Sequence, residues 1–160
     1  MDPLNKRIEF LIEKLGLKRH PEGGYYTETY RSQDTIEGIK RNVQTCIYFL
    51  LTSEDVSKFH RIKSDEIWFY HEGANLSIHT IGDDGHQIHR LGPINNEGFL
   101  PQILIPKNTI FGATLDQADT YVLVSCTVAP GFDFQDFELM NRSQLIADFP
   151  ENEAIIYLLT

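Results

Sequence analysis

Positive charge is scarce in this chain. Fourteen Lys and Arg stand against 23 Asp and Glu, a formal net charge of -9 over 160 residues. A nucleic-acid groove or an anionic membrane surface needs clustered Lys and Arg, so neither is expected as a partner. One anionic metabolite held by a local Arg remains compatible with that balance. Cysteine is equally sparse: Cys46 and Cys126 lie in separate apolar runs and read as buried free thiols. No apolar run reaches the length of a membrane span, and residues 1–7 contain no apolar signal core. The expectation is a cytoplasmic protein without internal repeat, low-complexity tract or linker.

The remaining composition is that of a globular chain, 41% hydrophobic and 23% charged. One domain over residues 1–160 is expected, able to bury roughly 70% of its unfolded surface without a disulfide or metal. Residues 3–16 predict a helix with Asp2 as cap, Pro3 at its first position and Gly16 at its end. Leu4, Ile8, Leu11, Ile12 and Leu15 form its apolar stripe.

Strand signals follow. Tyr25 to Tyr30 alternate, residues 32–41 read as a polar loop, and residues 43–52 form an apolar run. Further strands are expected at 66–70, 75–81, 86–91, 99–105, 110–113 and 120–128, with Gly82-Asp83-Asp84-Gly85 closing a hairpin. Residues 132–139 alternate once more, and 142–148 predict a short helix capped by Asn141. The apolar tail fits helix or strand. Many short strands with helices near the ends predict an all-β sandwich or barrel.

One stretch carries chemistry. Phe59-His60 leads through a polar turn at Lys63, Ser64 and Asp65 into Glu66-Ile67-Trp68-Phe69-Tyr70. The strand period puts Glu66, Trp68 and Tyr70 on one face. A carboxylate beside two aromatics with polar tips suits a lined cavity, because an unpaired carboxylate in a plain core loses its solvation. His60 and Glu66 are the candidate acid–base pair, and Trp68, Tyr70 and Gln102 candidate ligand contacts, Gln102 as an amide in an apolar strand. Tyr25, Tyr26 and Tyr30 read as a strand at a subunit contact, and Arg31 as a surface salt bridge. Gly23 and Gly24 read as backbone geometry, and Asp133 and Asp136 as solvated.

These residues resemble a known family. His60, Glu66 and Gly73 are similar to the first cupin motif, and Pro106-Lys107-Asn108 through Phe111 occupies the place of the second. The likeness extends to the DUF985 or cupin-5 subgroup, through His20-Pro21-Glu22-Gly23-Gly24-Tyr25-Tyr26, Tyr30-Arg31-Ser32, Ser64-Asp65-Glu66-Ile67-Trp68, Pro101-Gln102 and residues 128–134. The resemblance implies a double-stranded β-helix, the jelly-roll of the dTDP-sugar 3,5-epimerases, paired as a homodimer. Metal-binding cupins hold their ion with three His and one Glu. Here Ile62 and Phe111 stand at two of those positions, so no metal or other cofactor is expected, and Phe111 is assigned to the ligand pocket instead.

Three functions compete at this point. The first is a metal-independent epimerase- or isomerase-like enzyme acting on a small polar metabolite, a sugar or sugar nucleotide, through His60 and Glu66. The second is a metabolite-binding module without chemistry. The third is a metal-dependent isomerase or oxygenase whose third ligand comes from His71, His79 or His89.

Overall fold

The computed structural model describes residues 3–95 and 97–160; the expected cap Asp2 lies outside them. Helix α1 (Pro3–Leu15) precedes strands β1 (Lys18–Arg19), β2 (Tyr25–Arg31), β3 (Thr35–Ile36), β4 (Arg41–Asn42), β5 (Thr45–Thr52) and β6 (Ser57–Arg61). Then come β7 (Asp65–Gly73), β8 (Leu76–Gly82), β9 (Gly85–Leu91), β10 (Gln102–Ile105), β11 (Ile110–Leu115) and β12 (Tyr121–Ala129). A 3-10 turn (Phe134–Asp136), β13 (Glu138–Leu139), α2 (Arg142–Asp148) and α3 (Glu153–Leu158) complete the chain.

Two antiparallel sheets face each other, ordered β1-β2-β5-β12-β7-β10 and β13-β6-β11-β8-β9. The expected all-β jelly-roll with helices at its ends is the observed fold. Between the sheets lie Phe49, Leu51, Trp68, Ile78, Phe111 and Val124, each supplied by the inward face of its strand. Each sheet also uses part of its outer face. Leu50 and Leu123 pack under Leu11 of α1, while Phe59 and Ile81 pack under Leu145, Ile156 and Leu159 of the C-terminal helices. That double cover explains why β6 is buried on both sides, with Phe59 outward beneath helices and His60 inward.

Asn141 caps α2 by accepting from the Gln144 amide at 3.2 Å, as its sequence position indicates. The tail is helical. Residues 132–139 do not form the expected strand: the Asp133 side chain accepts from Gln135 N–H, which stabilises the 3-10 turn before the two-residue β13. Within the expected loop 32–41, β3 begins a two-residue ladder with β4. Cys126 is buried, but Cys46 is only half-buried, and both are free thiols. Among the described residues no helix is long and apolar enough to cross a membrane.

Candidate active site

The two sheets part at one end around a cavity of about 530 Å³, within the range of small-molecule sites. His60 and Ile62 come to it from β6 and the turn beyond, and Glu66 and Trp68 from β7. His20 and Glu22 come from the loop before β2, and Tyr26, Glu28 and Arg31 from β2 itself. Phe132, Phe134 and Phe137 close the outer side.

The loop at residues 20–24 gives the cavity its second acid. Gly23 and Gly24 have φ of +114° and +71°, a region disfavoured for residues with a Cβ. A Cβ on Gly23 would stand 1.9 Å from the Val56 carbonyl oxygen, and one on Gly24 2.9 Å from that of Leu50. Two residues without side chains therefore let the loop settle against the barrel and carry Glu22 inside, where it is only 6% exposed.

Hydrogen bonds fix the protons there. The Lys58 carbonyl lies 2.6 Å from His60 Nδ1; it can only accept, so Nδ1 carries the hydrogen and Nε2 presents a lone pair. That lone pair faces Glu22 Oε2 at 3.2 Å. His20 Nδ1 lies 3.4 Å from the same carboxyl oxygen, its lone pair accepting from the Glu22 amide N–H at 3.2 Å. An ionised Glu22 would point its charge at the His60 lone pair, and Ser57 Oγ–H, donating to Oε1 at 2.8 Å, relieves only the other oxygen. Burial pushes the Glu22 carboxyl up, and burial holds the His60 imidazolium down to about 4. Both shifts favour the neutral forms of Glu22 and His60, which face each other at 3.2 Å.

Glu66 faces the cavity from the opposite sheet. Burial, and secondarily the nearby Glu22 carboxyl, push its acid up to about 8, with the Cys126 thiol as a hydrogen-bond partner pulling the other way. Cys126 is raised too, chiefly by burial, so it is a thiol rather than a nucleophilic thiolate.

Of the six side chains singled out from sequence, His60, Glu66 and Trp68 line this cavity; Tyr70, Gln102 and Phe111 do not. Tyr70 shares the inward face of Glu66 and Trp68, as the strand period indicates, but lies further along β7, where it packs on the central core with its hydroxyl donating to the Gly73 carbonyl at 2.7 Å. Gln102 is exposed: Ile103 packs on the core, so Gln102 points outward on the edge strand with Leu100 and Leu104. Phe111 is fully buried behind His60, ring centroids 4.2 Å apart, and backs the imidazole instead of meeting a ligand.

Other expectations also change. Tyr26 lines the cavity. Asp136 is not solvated but holds Arg41 at 2.7 and 3.1 Å, and Asp133 lines the cavity beside it. Arg31 does pair with a carboxylate, Glu28, at 2.9 and 2.7 Å, yet it stands at the cavity mouth. Sequence reasoning missed His20, Glu22 and the Phe132–Phe134–Phe137 wall. The signal for Glu22 was available, since an acid directly before two glycines is an acid on a loop able to lie flat on the barrel.

Ile62 and Phe111 offer no donor, and among the described residues no three His, Cys, Asp or Glu side chains converge to hold a metal ion. Glu22 already joins His20 and His60 directly.

Comparison with known proteins agrees with this architecture. Residues 9–140 match the family described as Cupin superfamily (DUF985). Protein SO0799 from Shewanella oneidensis is 39% identical, with a TM-score of 0.89 and coverage of 95% of this chain and 96% of that one. A hypothetical protein from Leishmania major is 40% identical, with a TM-score of 0.88 and coverage of 95% and 97%. Uncharacterized protein YML079W from Saccharomyces cerevisiae is 30% identical over 146 residues, 81% of this chain and 73% of that protein. The chain belongs to the DUF985 family of the cupin superfamily.

Proposed function

We propose that the cavity binds a small polar metabolite, such as a sugar or sugar nucleotide, and relocates a proton on it without a metal, in the manner of an epimerase or isomerase. One observation carries this reading: Glu66 from the six-stranded sheet, and His60 from the facing sheet with Glu22 of the loop before β2 against it, open into a single aromatic-walled cavity. Groups on opposite walls can take a proton from one face of a carbon and return one to the other. An acid brought to about 8 can do either near neutral pH. Phe134, Phe137 and Tyr26 provide ring faces for the substrate.

The test is incubation with a pooled metabolite extract in D2O, followed by mass spectrometry. The wild type is expected to convert a metabolite or add one deuterium at carbon, and Glu66→Gln to do neither. A metabolite that stabilises the protein thermally yet returns unchanged and undeuterated would establish the binding-module reading instead.

The free thiols Cys46 and Cys126 suit a cytoplasmic setting. We also assign the uncovered outer face of the six-stranded sheet to a second copy of the chain. Cross-strand rows there join Leu104 to Ile67 and Phe69 to Tyr48 by way of β12, and reach Cys46 and Tyr30, without a formal charge. In a chain of net charge -9, an uncharged face is where two copies can meet without repulsion.

A further inference from the structure

We infer that the ligand has two parts: a neutral, ring-sized polar end that enters the cavity, and one acidic group, carboxylate or phosphate, that stays at the rim on Lys18. This rests on the cavity being the ligand site, as proposed above, and adds the substrate's charge and orientation.

Two cations line the cavity, Arg31 and Lys18. Arg31 uses four of its five N–H donors: Nε and Nη2 on Glu28, Nη1 on Asn42 at 2.8 Å, and Nη2 also on the Phe132 carbonyl at 3.1 Å. It braces the wall and has no free fork for a ligand anion. Lys18 is exposed, and among the described residues it pairs with no carboxylate. Its ammonium is instead held near the Tyr26 ring, 5.3 Å from the centroid. Tyr26 in turn meets the His20 ring edge-on at 4.5 Å, and His20 abuts Glu22. Two ring contacts thus separate the free cation at the rim from the proton-holding group at the floor.

The floor cannot take the acid. Glu22 and Glu66 are the groups there, both buried, and no cation stands beside them. An anion pushed inside would lose its hydration and meet two carboxyls. At the rim it keeps water on one side and gains a charge-assisted hydrogen bond from Lys18.

Three probes sharing one ring separate the possibilities: D-glucose 6-phosphate, D-glucuronate and D-glucose, titrated at constant ionic strength. Emission of Trp68, the single tryptophan of the chain, reports from the cavity wall. At least one acidic probe should bind about tenfold more tightly than glucose, that advantage should vanish in Lys18→Ala, and Lys18→Arg should restore it. The phosphate and carboxylate arms identify which acid is preferred. Equal binding of all three probes, no response to any, or an advantage that survives Lys18→Ala would overturn the inference. If the acid preference fails while Glu66-dependent deuterium exchange persists, the orientation falls and the proton chemistry stands; the reverse pattern removes the chemistry alone.

Discussion

Glu66 keeps a proton that an ordinary carboxyl releases, and this has a measurable signature. Its acid lies at about 8 in the fold against an ordinary 4.5. Between those values the unfolded chain has lost a proton that the folded chain retains, so stability falls as pH rises, by about 1.4 kcal/mol per pH unit. Glu66→Gln removes that titration. Denaturant unfolding should therefore show the variant gaining on the wild type steadily from about pH 5 to about pH 8. A difference that stays constant across this range would mean Glu66 titrates normally. His60 works in the opposite sense: its neutral ring loses stability as pH falls from 6.5 through about 4. At this scale the sequence was legible where strand period decides orientation, as at His60, Glu66 and Trp68. At Tyr70 the face was right but its distance along the strand from the cavity was not given, and at Gln102 period two was right but which side faced the core was not.

The loop of residues 20–24 and the segment 131–137 decide the cavity, and both are irregular elements. Gly23→Ala puts a methyl group 1.9 Å from a backbone oxygen at a φ of +114°, so the loop must lift. We expect a loss on the order of 3 kcal/mol, from strain and the exposure of Glu22, read as a lower unfolding midpoint with weaker ligand binding. An unchanged midpoint would show that Glu22's position does not depend on the glycines. Strands and end helices could be located from apolar alternation and caps because those signals are local. The Phe132–Phe137 wall could not, because its conformation is set by distant partners: Asn42 carbonyl to Gly131 N–H, Thr45 Oγ1 to Phe132 N–H, and Arg41 to Asp136.

For the whole molecule, the uncharged outer sheet face predicts a dimer at micromolar concentration by light scattering. Phe69→Arg places a charge in the middle of that face and should yield a folded monomer, judged by unchanged circular dichroism. A monomeric wild type would refute the assignment. The fold class was open to sequence reasoning because turn spacing and apolar runs exclude most alternatives. The joining of Glu22 to His60 was not, since it depends on sheets built from residues far apart in the chain.

The Phe132–Phe137 wall belongs to neither sheet at the place where it closes the cavity, and it is held largely by side chains of Arg31, Arg41 and Thr45. Its residues can be exchanged without disturbing the strand ladders that hold Glu66 and His60. An engineer wishing to retarget the barrel should therefore randomise these phenylalanines first.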